Sequence, residues 1–285
     1  MKRPEPVCKA TKIHRITGEW LPQSFADCLD ELGALKRIAV GAGALLLYRG
    51  HANRKWRLDS TLVRTFKAKL LDMAPTDGFA EHLRQSADLN AMLSSLLLLK
   101  FGSLAGPSAE LLSAEAEHGV DPWFELMKRF QQYPTEDMQV LKGTNLLDWS
   151  RSSDVALYFA NERRESAGAL FVCDATATGK TLQVVPVAEI LAKVRERLMK
   201  ELPNGSPLLF SPKRQIAYRR AKNQEAVYFA QMELRQDLLE LWRLQERGMP
   251  GEVIVVKIVL PVGSQQQCAA YLESKGVDES FIYPD

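Results

Sequence analysis

The chain has 285 residues, of which 46% are hydrophobic and 25% charged, and its formal net charge at pH 7 is +2. This balance is ordinary for a globular protein and excludes a wholly disordered or fibrous chain. The charge is too close to neutral to require nucleic acid as a partner. The length is at the upper edge of what one hydrophobic core serves, and we expect a single continuous domain over residues 1–285.

The cysteine pattern and the apolar runs limit the remaining classes. Four cysteines lie far apart, without a C-x-x-C pair or histidines at zinc-finger spacing, so we expect no metal site. The longest apolar run is far shorter than the roughly 20 residues that cross a bilayer. The first residues lead into charged sequence rather than a signal-like apolar run, which predicts a cytoplasmic protein with no membrane contact.

The first half of the chain predicts a helix, a strand and a long helical segment. Apolar residues recur at three-to-four spacing over residues 24–37, which is typical of an amphipathic helix. The apolar run at 45–48 then predicts a buried strand that ends at Arg49 and Gly50. From residue 61 to about residue 130 the spacing is helical again, and a loop at 101–109 interrupts it. We interpret 61–130 as a helical insertion between the first two core strands.

The second half predicts several strands and two helices, which together indicate an α+β protein. A strand at 146–149 runs into a helix that starts near Val155, with Ser152, Ser153 or Asp154 as its N-cap. The β-branched and apolar content predicts further strands at 168–173, 226–229 and, most clearly, 253–260. The last predicted element is a helix over 265–276 with Gly276 as its C-cap.

Arg49 is the first residue that indicates chemistry. An arginine at the end of a buried strand must either meet a carboxylate or face a cleft, because its charge is too costly to bury alone. The planar guanidinium suits phosphate or ribose oxygens. A structural ion pair with an internal acid such as Asp148 remains open from spacing alone. His51, two residues on, is either polar surface or part of the same feature.

Two further segments combine polar groups at the mouths of predicted strands. The segment 147–152 places an acid, an indole and hydroxyls at a strand-to-helix junction, where backbone amides favour an anion, although capping and core packing explain it equally. Gln224 and Glu225 follow a basic run and precede a strand. A carboxylate there could oppose an oxocarbenium-like centre, whereas a solvated edge is the simpler alternative. Signatures of serine hydrolases, zinc proteases and P-loop proteins are absent.

Several spaced motifs occur along nearly the whole chain: Tyr48-Arg49-Gly50, Trp56-Arg57-Leu58 with Arg64, the block at 146–160, and the closing Pro284-Asp285. Together they resemble the FRG-domain family of bacterial proteins. The family normally has a Gln-His-x-Gly-x-Pro-Thr-Arg stretch before Leu-Leu-Asp-Trp. Here Gln131-Gln132-Tyr133-Pro134 is followed by extra residues, so the family's histidine and arginine are missing.

The order of these segments is also similar, more loosely, to the Arg-Ser-Glu order of ADP-ribosyltransferases. That resemblance implies an ADP-ribosyltransferase-like core of mixed β-strands, with NAD as substrate. The residues that it implies for binding NAD are Tyr48, Arg49, Gly50, Asp148, Trp149 and Tyr158. The residues that it implies for catalysis are Ser150, Gln224 and Glu225. Asp148 stands where that family has the first serine of Ser-Thr-Ser, which is a departure.

The two resemblances imply a function with one alternative. The implied activity is NAD-dependent transfer of ADP-ribose to RNA, DNA or protein, in a bacterial toxin or antiphage defence effector. An antitoxin or chaperone is then a candidate partner, and the basic residues of 213–222 would permit nucleic acid as acceptor. The alternative is a catalytically inactive FRG module that binds a nucleotide or a partner protein. A magnesium nuclease would need a carboxylate cluster, which the sequence lacks.

Overall fold

A computed structural model describes residues 18–73, 142–178, 183–185, 208–212, 219–231, 236–248 and 253–284. Most of the predicted insertion at 61–130 lies outside these residues, as do 131–134 and most of the basic segment 213–222. The first thirteen residues of the insertion form a helix, as expected. In the described part of the chain, no helix is long and apolar enough to cross a membrane.

The described residues form eight strands and seven helices. The strands are β1 Glu19–Trp20, β2 Leu46–His51, β3 Leu146–Ser150, β4 Gly168–Asp174, β5 Gln183–Val185, β6 Leu208–Pro212, β7 Ala226–Ala230 and β8 Val255–Leu260. The helices are α1 Phe25–Ala42, α2 Thr61–Met73, α3 Ser153–Asn161, α4 Arg219–Asn223, α5 Leu238–Arg247, α6 Gln265–Ser274 and α7 Glu279–Ile282.

All eight strands belong to one mixed sheet in the order β1-β8-β4-β2-β3-β7-β6-β5. The outer pairs β1–β8 and β5–β6 are parallel, and the inner pairs are antiparallel. Because five of the seven strand pairs are antiparallel, the architecture agrees with the α+β prediction at this level of detail.

The core lies on both faces of the sheet. β4 is buried at all seven positions, with Leu170 and Val172 on one face and Phe171 and Cys173 on the other. Helices α1, α3 and α6 cover the first face, while α5 covers the second through Leu238 and Trp242. Because both faces are buried, β4, β7 and most of β8 are apolar runs rather than alternating ones, which is why these strands could be predicted.

Local signals explain where α1 begins and ends. Ser24 and Asp27 form a reciprocal capping box, with bonds of 3.1 and 3.0 Å between side chains and backbone amides. The helix continues five residues beyond the predicted end at 37, through Gly41, and ends at Ala42. Gly43 adopts the left-handed conformation (φ 64°) and terminates the helix.

β2 also extends further than predicted. Its backbone pairs with β4 through Arg49, Gly50 and His51, so these residues lie within the strand rather than after it. At the other end of the chain, α6 stops at Ser274, and the predicted cap Gly276 (φ 68°) lies two residues later. The predicted strand at 253–260 begins at Val255.

Candidate ligand-binding cleft

The sheet opens between β2 and β3. β2 pairs with β4 along its whole length, and β3 pairs with β7 along its whole length. Between β2 and β3, in contrast, Tyr48 and Ser150 are the only register partners. The two strands diverge beyond this pair, and a cavity of about 620 Å³ lies there. This volume is within the roughly 300–1,000 Å³ that is usual for small-molecule sites.

Four parts of the chain line the cavity. The first part is the pair of diverging strands, β2 and β3. The second is the face of α3 that carries Val155 and Phe159. The third comprises Arg220 and Gln224, on and just after α4, with Glu279 and Tyr283 from the end of the chain. The fourth comprises the loop after β2 and Arg64 on α2. The cleft therefore combines segments that are far apart in the sequence.

Gly50 allows α3 to lie directly against β2. A Cβ at this position would be 1.8 Å from the carbonyl oxygen of Ala156 and 2.5 Å from the amide nitrogen of Ala160. No side chain fits there. The N-cap Ser152, whose hydroxyl accepts a bond from the amide of Val155, fixes the start of the same helix. Glycine at 50 and a cap at 152 thus position one wall of the cleft.

Arg49 spans the divergence between the strands. Its Nε donates to Nε2 of His51 at 3.0 Å, and its Nη1 donates to the backbone carbonyl oxygen of Asp148. The contact with Asp148 is therefore to the backbone, and among the described residues no carboxylate forms an ion pair with Arg49. Burial lowers the pKa of Arg49 to about 10, which leaves the guanidinium charged at neutral pH.

His51 is buried and orients this arginine. Burial, followed by the charge of Arg49, holds the pKa of His51 well below its usual value, so the imidazole is neutral. Because Nε2 accepts the bond from Arg49, the hydrogen-bond pattern assigns the ring proton to Nδ1. The predicted alternative of a polar surface histidine is wrong, because β2 continues through this residue.

Arg64 is a second cation at the cavity. It lies on the first turns of α2, and its Nη2 donates to the hydroxyl of Thr61 at 3.1 Å. Burial lowers its pKa, and its charge in turn lowers the pKa of Arg49. Within the described residues neither arginine forms an ion pair with a carboxylate, although the charge of Asp148 raises the pKa of Arg49 and that of Asp59 raises the pKa of Arg64. The nearby Arg57, in contrast, contacts three acids. Two such cations at one cavity favour an anionic ligand.

Ser150 and Gln224, both predicted to be catalytic, line the cavity but are bonded to protein groups. The hydroxyl of Ser150 donates to the backbone oxygen of Gln224 at 2.7 Å and accepts from the amide of Ser152 at 2.8 Å. The side-chain amide of Gln224 donates to the carbonyl of Ile282 at 3.0 Å. These bonds tie β3 and α4 to the end of the chain.

Glu225, the third predicted catalytic residue, is not among the residues that line the cavity. It is exposed, and its backbone is in the left-handed region with φ 45°. Its carbonyl accepts a bond from the amide of Arg151 at 3.1 Å. The carboxylates that do line the cavity are those of Asp148, Glu162 and Glu279. Sequence reasoning missed the last two; Glu162 continues the Val155 and Phe159 face of α3, which was the available signal.

The aromatic residues divide between core and cleft. Trp149 borders the cavity, but its ring is buried and packs edge-on against Trp242 and Phe229, with centroids 5.6 and 5.5 Å away. Tyr158, which the resemblance implies for NAD binding, is not a lining residue and contacts Tyr283 and Phe159 instead. Phe159, Tyr283 and Trp56 are the rings at the cavity beside the buried Tyr48.

The residues around Tyr283 form one wall of the cleft, and contacts with three other residues hold them in place. The hydroxyl of Tyr283 donates to the carboxylate of Glu162, with distances of 3.0 and 3.1 Å to its two oxygens. Arg220 lies over the Tyr283 ring, 4.6 Å from its centroid. Asn223 donates to the carbonyl of Phe281 at 2.7 Å. Burial and the neighbouring Glu162 raise the pKa of Tyr283, so its hydroxyl stays protonated.

Comparison of the chain with models of protein families, with curated proteins and with solved structures finds no match. The FRG and ADP-ribosyltransferase resemblances therefore remain predictions from the motifs.

Proposed function

We propose that the cleft binds NAD and that the chain is an ADP-ribosyltransferase acting on a macromolecule, as a toxin or defence effector. The observation that carries this proposal is the pair Arg49 and Arg64, two cations at one cavity that form no ion pair with a described carboxylate. NAD has a pyrophosphate for such a pair and planar rings for the aromatic side chains of the same cavity. The motif resemblances supply the reaction type.

The reaction breaks the bond between nicotinamide and ribose, and nicotinamide leaves with the bonding electrons. An acceptor oxygen or nitrogen then attacks the ribose carbon and loses its proton. The positive charge that develops on the ribose requires a fixed carboxylate. We assign that role to Glu162 rather than Glu225, because Glu162 lines the cavity and Tyr283 holds its carboxylate. Arg49 and Arg64 neutralise the pyrophosphate in this scheme.

A binding module without catalysis is the second candidate. Two observations favour it: the hydroxyl of Ser150 already donates to a backbone oxygen, and Glu225 lies outside the cavity. In that case the same arginines hold a nucleotide that is not consumed.

The first experiment measures NAD binding by calorimetry with the full chain and with Arg49→Met. Hydrogen bonds to charged groups contribute about 1.5–3 kcal/mol, so this substitution should weaken binding roughly 10- to 100-fold. Arg247→Met is the matched control, because Arg247 is exposed at the end of α5 and outside the cavity. If the wild-type chain does not bind NAD, or if both variants behave alike, the proposal is wrong.

The second experiment separates catalysis from binding. Nicotinamide release and ADP-ribose attachment are followed by mass spectrometry after NAD is mixed with lysate fractions. We expect Glu162→Gln to abolish release while NAD still binds, and Glu225→Gln to leave release unchanged. NAD that binds but stays intact in every fraction would support the binding module. Loss of release in Glu225→Gln alone would return the catalytic role to Glu225.

A further inference from the structure

The loop after β2 forms a lip of the cleft, residues 53–57, that carries an exposed tryptophan. Trp56 is 54% exposed and lines the cavity. Among the aromatic side chains that the structure describes, Trp56 alone is exposed. A tryptophan offers a large flat ring for stacking, and its place at the mouth of the cleft, rather than its exposure alone, makes Trp56 a candidate ligand contact.

Hydrogen bonds constrain the backbone of the lip on both sides of the ring. The amide of Trp56 donates to the carbonyl of Asn53 at 3.1 Å, and the amide of Arg54 donates to the carbonyl of Ala167 at 2.8 Å. The side chain of Asn53 accepts from the amide of Lys55 at 2.9 Å. The Trp56 ring also meets His51, with centroids 6.0 Å apart at 62°. A platform fixed in this way loses little conformational entropy when a ring stacks on it.

The charged neighbours of Trp56 specify the kind of partner. Arg54 and the exposed Lys55 have no ion pair with any described carboxylate. Arg57 differs, because it contacts Asp237 and Glu240 at 3.4 and 2.7 Å. Arg49 and Arg64 continue the positive charge into the cavity.

An aromatic ring beside cations that form no ion pair with described carboxylates, at the entrance of a cleft with further cations, is also found in proteins that bind single-stranded nucleic acid. A protein partner would instead be expected to meet several apolar side chains around the tryptophan. The other exposed large apolar residues of the described chain are outside both the lip and the cavity. They are Leu21, Ile38, Val40, Leu244 and Val262.

We propose that the lip binds single-stranded nucleic acid, with a base stacked on Trp56 and phosphates on Arg54 and Lys55, and that this strand is the acceptor at the cleft. The acceptor role rests on the proposed function, whereas binding of the strand does not. The base stack supplies sequence-tolerant affinity, and the basic side chains supply an affinity that falls with salt.

The test is fluorescence polarisation of a 12-nucleotide fluorescein-labelled RNA, single-stranded or annealed to its complement, without NAD. We expect the single strand to bind more tightly than the duplex. Trp56→Ala should weaken binding roughly 5- to 100-fold, and Trp56→Phe should retain most of the affinity. Lys55→Glu should weaken binding and make the salt dependence shallower, whereas Lys275→Glu, exposed and outside the cavity, should change neither.

Three results would overturn the inference: no binding of the oligonucleotide, equal or tighter binding of the duplex, or wild-type affinity in Trp56→Ala. A chain that attaches ADP-ribose only to protein and does not bind the oligonucleotide would also overturn the inference, but the proposed transferase function would stand. If, conversely, the chain binds the strand with the expected dependence on Trp56 but never consumes NAD, that result supports strand binding at the lip and contradicts the proposed function alone.

Discussion

Replacement of Gly50 by alanine tests the contact that builds the cleft. The new Cβ would lie 1.8 Å from the carbonyl oxygen of Ala156, so α3 or β2 must move by more than about 1 Å to restore ordinary contact. Overpacking in a core costs about 1–3 kcal/mol. Because the opposing atoms are backbone atoms of a buried helix and cannot rotate away, we expect about 3 kcal/mol. That is a large part of a typical stability of about 5–15 kcal/mol.

The assay is urea unfolding followed by circular dichroism and tryptophan fluorescence. Gly41→Ala is the matched control: Gly41 lies inside α1, and nothing lies within 4 Å of its added Cβ. That variant should gain about 0.5–1 kcal/mol, since alanine is the better helix former. If Gly50→Ala unfolds at the same urea concentration as the wild type, α3 does not lie on β2 as described.

Two further perturbations test the electrostatics and the hydrogen bonds of the fold. Burial lowers the pKa of His51, so near pH 6.5 the unfolded chain takes up a proton that the folded chain does not. Stability should therefore fall more between pH 8 and 5.5 in the wild type than in His51→Gln, by up to about 1.4 kcal/mol. If the free energy of unfolding in urea falls by the same amount between pH 8 and 5.5 in the wild type and in His51→Gln, the prediction is wrong. Arg164→Met should destabilise the chain by about 3 kcal/mol in the same assay, because the buried guanidinium donates to the carbonyls of Leu260 and Pro261 and to the hydroxyl of Ser264 at 3.3, 2.9 and 2.9 Å. A loss below about 1 kcal/mol would mean that water replaces these bonds.

The central strands could be predicted from the sequence because each is a short apolar run bounded by polar residues, as in β4 and β8. β5 and β6 were missed, since strands of three and five residues with Pro212 at one end carry little periodic signal. α5 was also missed, although its capping box of Asp237 and Glu240 and its buried Leu238 and Trp242, four residues apart, were visible in the sequence.

The candidate site was only partly predictable, and the reason is its construction from distant segments. Arg49 and Gly50 could be identified because an arginine and a glycine inside an apolar strand both need a special explanation. Glu162 and Tyr283 are 121 residues apart, and only the fold brings them together. Glu225 was placed at a strand mouth from its position in the sequence. The backbone there has a positive φ, and the residue is exposed outside the cleft.

Arg49 has a structural role that any test of ligand binding must separate from its proposed one. Where β2 and β3 diverge, Arg49 donates to the Asp148 carbonyl and so helps to satisfy an edge that a closed sheet would pair. Arg49→Lys keeps the charge but lacks the planar guanidinium with its several donors, so it cannot bond both His51 and Asp148 in the same geometry. We expect this variant to lose about 1–2 kcal/mol of stability and at least tenfold in NAD affinity. If it loses stability in urea but titrates with NAD like the wild type, the guanidinium supports the sheet edge and another group holds the anion.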